Sequence, residues 1–272
     1  MSAFQVYWQA HRGGGAYEAP DNTMVANRYA WGLGGIPEAD IRTTKDGIIV
    51  CLHDDTPART TTAPDEVKDM SIAQFTFEET RAWDAGVKFD EKFAGERIPS
   101  VEEMFIEMQG KPERLVYLDL KNVDLEQLGR LIDQYGVNEQ VIFTHNKQEN
   151  CARMKTIAKG VKSMLWVGGS ADKIKATFNQ VRESGFQGLD QVQLHLKSQQ
   201  PQPGWPYDIE PEFLKYALAE SAAAGIDLEV LPFQIDEPSM HGLLDLGIRW
   251  YATDEPGKFV KSVQSWQALQ RS

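Results

Sequence analysis

The chain has 272 residues, 42% of them hydrophobic, with a formal charge of -12, enough apolar material for a large core in one α/β barrel or two ordinary domains. Such acidity argues against a nucleic-acid or anionic-membrane partner, because a surface that tracks phosphates needs clustered Lys and Arg. No apolar run reaches the roughly 18 residues of a membrane span, and the first residues run straight into a strand pattern, so a soluble, unanchored chain is expected.

Gln5 to Gln9 alternates polar and apolar residues and runs into His11-Arg12-Gly13-Gly14-Gly15, a strand that delivers His11 to its C-terminal end, with the glycines as a tight turn. Pro20-Asp21-Asn22-Thr23 supplies caps for a helix over Met24 to Trp31. Ile36 to Ile41 is strand-like and carries Glu38 and Asp40 on one face, because strand side chains repeat every second residue. Two carboxylates on one face invite a cation. Lys45-Asp46-Gly47 signals a turn, and the β-branched run Ile48 to Leu52 delivers His53-Asp54 to a strand end. Cys51 lies in that run as buried filler. Neither it nor Cys151 sits in a metal or redox spacing, which suits a reducing cytoplasm.

From Asp54 to Pro99 no sustained period appears beyond a helical piece near Ser71 to Trp83. The stretch is too long for an ordinary loop and is expected to be an insertion, at about 55–99, over one end of the scaffold. Helix Val101 to Met108 and strand Leu115 to Leu120 follow, the strand bringing Asp119 and Lys121. Regular alternation then runs to the end: helix Asp124 to Tyr135, strand Val141 to Thr144, helix Glu149 to Lys159, strand Ser163 to Val167, helix Asp172 to Glu183 and strand Leu189 to Leu194. A Pro-rich loop (Pro201 to Pro211) precedes helix Glu212 to Ala224, strand Asp227 to Phe233, helix Pro238 to Leu246, strand Ile248 to Ala252 and a last helix near Lys258 to Leu269.

Repeated strand then helix means parallel strands with right-handed crossovers, and about eight such units mean a closed TIM-type (β/α)8 barrel in a single domain. Nine strand-like runs are present, so Ile36 to Ile41 or Ile48 to Leu52, between which no helix intervenes, must pair irregularly. In a barrel, function collects at strand C-termini, where His11, Asp40, His53, Asp119 and Lys121 all fall. Two histidines able to trade a proton, an arginine able to grip an oxyanion and a pair of carboxylates suit phosphoryl transfer. Trp166 and Phe233, at strand ends, are placed to wall a substrate pocket. His195 reads as a structural imidazole, His145 as a residue beside the pocket, and His241 as a solvent-facing helix residue.

The ordered set His11-Arg12-Gly13, Pro20-Asp21-Asn22-Thr23, Glu38-Ala39-Asp40, Thr44-Lys45-Asp46-Gly47, His53-Asp54, Arg59-Thr60-Thr61, Ile98-Pro99-Ser100-Val101-Glu102-Glu103, Asp119-Leu120-Lys121 and Thr253-Asp254-Glu255-Pro256 resembles the glycerophosphodiester phosphodiesterase family over nearly the whole chain. The resemblance implies a TIM-type barrel that hydrolyses small-molecule phosphodiesters to an alcohol and sn-glycerol 3-phosphate. It implies His11 and His53 as the acid/base pair, Arg12 and Lys121 as phosphate contacts, and Glu38, Asp40 and Asp119 as ligands of one divalent cation, Mg²⁺ or Ca²⁺. Three departures stand out: Asp119 where the family usually has Glu, Asp21 where it usually has Glu, and Phe233-Gln234-Ile235-Asp236 in place of its late Trp-Thr-Val-Asn. The last motivates two alternatives on the same scaffold, namely lysophospholipids or sugar and polyol phosphodiesters as substrates. A barrel that only binds a phosphorylated ligand is disfavoured, since it has no need of a proton-transfer pair.

Overall fold

A computed structural model describes residues 4–15, 17–198 and 205–271. Eight parallel strands close into a ring: β1 (Tyr7–Ala10), β2 (Ile36–Thr43), β4 (Val116–Asn122), β5 (Val141–His145), β6 (Lys162–Val167), β7 (Gln191–Leu196), β8 (Asp227–Pro232) and β9 (Trp250–Thr253), with β9 returning to β1 and β1 also pairing with β2. The ninth strand, β3 (Ile49–Cys51), lies outside the ring and pairs antiparallel with β2, Ile41 opposite Cys51 and Thr43 opposite Ile49. A hairpin is the only short connection that two strands without a helix between them can make, and Gly47, at φ 83°, turns it.

Helices α1 (Met24–Gly32), α3 (Val101–Met108), α4 (Leu125–Tyr135), α5 (Gln148–Ile157), α6 (Ala171–Glu183), α7 (Pro211–Ala223), α8 (Glu237–Asp245) and α9 (Pro256–Leu269) intervene between barrel strands or follow the last one. Their ends are written in the sequence. Thr23 accepts from the Ala26 amide, Ser100 and Glu103 form a reciprocal capping box, and Gly136 closes α4 in the left-handed conformation. Ser100→Ala alone is expected to cost about 1 kcal/mol. The main core lies between strands and helices and takes one face of each, as in α4, where Leu125, Leu128 and Ile132 are buried. A smaller apolar plug inside the barrel joins Ile36, Tyr117, Ile142 and Met164.

Three local departures have physical causes. The expected helix over Ser71 to Trp83 is two pieces, a 3-10 turn at Ile72–Gln74 and α2 (Phe77–Arg81), because Phe75 is extended and Ser71 and Thr76 each cap a separate start. Strand β7 begins two residues later than the apolar run suggests: Leu189 is spent in a turn onto the Phe186 carbonyl at 3.0 Å. The strand then alternates Val192, Leu194 and Leu196 outward into the core with Gln191, Gln193 and His195 inward. His241 is half-buried rather than solvent-facing, with Nε2 3.1 Å from the Ser262 carbonyl. Residues 201–204 of the Pro-rich loop, with 199 and 200 before them, lie outside the described residues.

Residues 52–100 carry their own apolar cluster, including Leu52, Ile72, Phe75, Trp83 and Ile98, built against Val50 of β3. Phe75 and Trp83 meet edge to face at 5.1 Å. The segment rejoins the scaffold through the Cys51 amide, which donates to the Pro99 carbonyl at 2.9 Å. Cys51 and Cys151 are both buried and free.

Candidate active site

Along β2, Ala39 and Ile41 pack fully buried into the outer core, so Glu38 and Asp40, in alternate positions, face the barrel interior. Register continues the pattern around the ring: Asp40 lies beside Asp119 of β4, and Asp119 beside Thr144 of β5. Carboxylate oxygens of Glu38, Asp40 and Asp119 consequently fall within 4.8 Å of one another, all three residues being buried. Asn22 latches Asp40 twice, donating to its Oδ2 and accepting from its amide, each at 2.9 Å.

Three carboxylates in so dry a place repel. Burial and the Asp40 charge push Glu38 up to about 8, against the pull of His11 and Lys121. Burial raises Asp119 as well, and Asp40 adds to it. For Asp40 burial is outweighed by Lys121, His53, His11 and the Asn22 hydrogen bond, and its carboxyl stays below the usual range. The Lys121 ammonium lies 3.0 Å from Asp40 and 2.6 Å from Asp119, so this cleft already accepts one cation. One ammonium leaves the triad with surplus negative charge, and an all-oxygen donor set is what Mg²⁺ or Ca²⁺ takes. The residues present fit a divalent cation.

The two predicted histidines stand at this site, each with Nδ1 held by a carboxylate. His11, which follows β1, has Nδ1 2.7 Å from Oδ1 of Asp254, and His53, which follows β3, has Nδ1 2.7 Å from Oδ1 of Asp54. A carboxylate only accepts, so Nδ1 carries the proton and Nε2 is left as the basic nitrogen on each ring. Burial lowers the His11 pKa, but the Asp254 hydrogen bond and the charges of Glu38, Asp254 and Asp40 more than offset it and carry it above 6.5. Gly15 allows the close approach behind this pair: a Cβ there would sit 2.4 Å from the Asp254 carbonyl.

Arg12 holds a left-handed backbone (φ 57°) that points its amide at Glu38 Oε2, 2.6 Å away. Its Nη1 donates to Asp21 at 3.1 Å, while its buried Nε has no partner among the described residues. A cavity of about 240 Å³ gathers His11, Arg12, Glu38, His53, Asp119, Lys121, Trp166 and Phe233, with Asp40 buried beneath. All nine residues singled out from the sequence thus converge. A larger groove, about 430 Å³, lined by Phe4, Trp8 and Phe259 among others, offers one charged side chain, Arg271, and no carboxylate or imidazole. The imidazoles, the carboxylates and Lys121 thus gather in the smaller cavity.

Four residues there escaped the sequence reading. Asp254 and Asn22 stood inside recognised motifs without a role. His195 lines the cavity rather than the core, its ring stacked on Trp166 (5.3 Å, 5° between planes) and set edge-on to Phe233. Burial first, then the charges of His11, Lys197 and Lys121, drive it down to about 4, so it is neutral at physiological pH. Gln193, inside β7, fixes it from below by accepting from Nε2 at 3.0 Å. Trp166 also donates to Asp119 at 3.2 Å. His145 turns away, its Nδ1 accepting from the Lys147 amide and facing Asn150 at the start of α5. The departure at 233–236 has a local cause: Asp236 caps α8 through the Ser239 amide at 2.8 Å.

Residues 11–258 match the sequence profile of the glycerophosphoryl diester phosphodiesterase family. A glycerophosphodiester phosphodiesterase of Caldanaerobacter subterraneus subsp. tengcongensis is 40% identical over 161 residues, 56% of this chain and 63% of that protein. The match thus spans less than two thirds of that relative's length. Among solved structures, a putative glycerophosphodiester phosphodiesterase of Galdieria sulphuraria superposes with a TM-score of 0.75 at 20% identity, over 97% of this chain and 100% of that one. A phosphodiesterase of Oleispira antarctica, in complex with the product sn-glycerol-3-phosphate, gives 0.71 at 20% identity over 96% and 98%. At such identities the structures establish the shared barrel.

Proposed function

The chain belongs to the glycerophosphoryl diester phosphodiesterase family, and from that premise we propose that it hydrolyses glycerophosphodiesters to an alcohol and sn-glycerol 3-phosphate in one barrel domain, with residues 55–99 its inserted segment. The observation that carries the reading is the pair of imidazoles, His11 and His53, each with Nδ1 tied to a carboxylate, on a cavity that also holds the acidic triad and Arg12.

In this reading one Nε2 takes the proton of the glycerol hydroxyl next to the phosphodiester as its oxygen attacks phosphorus. The other ring, starting as the imidazolium with a second proton on Nε2, gives that proton to the departing alcohol oxygen, leaving a cyclic phosphate that water opens with the proton traffic reversed. Such acid/base help is worth roughly 10²- to 10⁴-fold. Arg12 turns its Nε, which has no partner among the described residues, and Lys121 its ammonium, toward the phosphoryl oxygens, where fixed positive charge steadies the charge that develops during transfer. Glu38, Asp40 and Asp119 would hold one divalent cation, Mg²⁺ or Ca²⁺, which when bound supplies Lewis-acid charge to the reacting phosphate.

A cavity of about 240 Å³ ending on Trp166, His195 and Phe233 favours a small diester over a lysophospholipid, whose acyl chain needs a longer apolar trough. The test is ³¹P NMR of a panel of glycerophosphodiesters, lysophospholipids and polyol phosphodiesters with Mg²⁺, Ca²⁺ or EDTA. Accumulation of sn-glycerol 3-phosphate from the small glycerophosphodiesters supports the reading. Faster turnover of lysophospholipids, or no cleavage of any diester, sinks it.

A further inference from the structure

We propose that Arg59 is a positioning residue for both His53 and Arg12, an inference that rests on the hydrolytic reading above. Arg59 does not line the cavity. It projects from the chain after β3, in a turn fixed by Thr61, whose fully buried hydroxyl donates to the Pro57 carbonyl at 2.8 Å.

From there one guanidinium spans two carboxylates. Nε donates to Asp54 Oδ2 at 2.6 Å, and Nη1 to Asp21 Oδ2 at 2.7 Å. Each carboxylate in turn holds a group that faces the substrate: Asp54 accepts from His53 at 2.7 Å, and Asp21 from Arg12 at 3.1 Å. Proton transfer and phosphate contact are thereby tied into one chain, His53, Asp54, Arg59, Asp21, Arg12, with Arg59 at its centre.

The magnitudes say what this chain is for. Arg59 is 45% exposed, and ion pairs of that exposure add little to stability. Alignment is a different matter, since a misplacement of about 1 Å at a reacting group can cost on the order of 10²-fold in rate. The residue type fits the task as well, because a guanidinium offers separate edges to two acceptors, whereas an ammonium is a single point of charge. Burial tends to raise Asp54, but the hydrogen bonds from Arg59 and His53 hold it at about 2, and it remains an acceptor throughout the working pH range.

The test compares the wild type with Arg59→Gln, Arg59→Lys, Arg12→Gln and the double variant Arg12→Gln/Arg59→Gln, all with Mg²⁺ present. Arg59→Gln is expected to lower kcat roughly 10²-fold and to weaken sn-glycerol 3-phosphate binding, with Arg59→Lys restoring part of both. In the Arg12→Gln background, adding Arg59→Gln should weaken product binding no further, because Arg59 acts on phosphate through Arg12. The ring ¹⁵N signals of His53 should show a fixed Nδ1–H in the wild type and rotational averaging in Arg59→Gln. That readout needs no turnover: a wild type that cleaves no diester defeats the hydrolytic reading, while the His53 signals still decide the role of Arg59. Unchanged kcat with unchanged His53 signals in a folded Arg59→Gln, or additive losses of product affinity in the double variant, would overturn the proposal. Should Arg59→Gln fail to fold, Arg59→Lys and Asp21→Asn carry the same comparison. Asp21→Asn is expected to weaken product binding and leave the His53 signals in place, and the reverse pattern overturns the proposal.

Discussion

Asp254 accepts the Nδ1 proton of His11 at 2.7 Å across 243 positions of sequence, joining the loop after the last strand to the loop after the first. Barrel closure makes them neighbours, because β1 pairs with β9 and the His11 amide donates to the Thr253 carbonyl at 3.1 Å. The His11 ring is thus oriented by the segment that completes the fold.

Asp254→Asn should therefore cost activity without unfolding the chain. An amide facing Nδ1 can donate, which favours the wrong tautomer, and the raised His11 pKa loses its largest upward contribution. A fall in kcat of about 10²-fold is expected, with the His11 limb of the rate profile moved to lower pH. Measuring kcat against pH for both proteins checks it.

Chelation should stop turnover, and Mg²⁺ or Ca²⁺ should restore it. In chelated protein the surplus charge of the triad has a second signature, set by Glu38, whose pKa of about 8 lies above the ordinary carboxylate value of about 4.3. A carboxyl raised on folding contributes stability that is complete below its unfolded pKa and lost as pH rises through the folded one. The Tm of the chelated wild type should decline between about pH 4 and 8 more steeply than that of Glu38→Gln, whose carboxamide does not ionise. Parallel Tm curves would contradict this assignment of charge.

Glu229, fully buried in the barrel, receives side-chain amide donors from Gln9, Gln191 and Gln193 and the Tyr117 hydroxyl at 3.2 Å. Burial raises the Glu229 carboxyl to about 7, so Glu229→Gln removes little charge at neutral pH, yet it sets a fourth amide against these donors and leaves at least one N–H unpaired. A loss of about 1 to 3 kcal/mol is expected, read from urea unfolding. Because Gln193 also fixes His195, a change in substrate KM should accompany it.

Trp166→Phe keeps the aromatic wall and removes the N–H that reaches Asp119 at 3.2 Å. The expected result is a higher Mg²⁺ requirement with little change in Tm, on the order of tenfold as for other groups that orient metal ligands. Titrating activity with Mg²⁺ tests it.

What could be read from the sequence followed from periodicity and from motifs that each act within a few residues. Strand-then-helix alternation gave the closed ring, and Glu38 with Asp40 declared a shared face by spacing alone. Partners brought together by the fold were invisible as partners: Asp254 for His11, joined by barrel closure, and Asn22 for Asp40, joined across the turn after β1. The inward face of β7 misled for another reason. Gln191, Gln193 and His195 are polar residues inside a barrel, so the apolar run that marks the strand is its outer face, and His195 looked structural when it lines the cavity.

The most direct measurement is ³¹P NMR of a glycerophosphodiester with Mg²⁺ and either His11→Gln or His53→Gln, each first shown to retain the wild-type circular dichroism and Tm. Both variants should leave the diester at least 10²-fold more slowly cleaved than the wild type, while still binding sn-glycerol 3-phosphate. Undiminished release of sn-glycerol 3-phosphate by either folded variant would mean that its imidazole is not one of the two that move the protons.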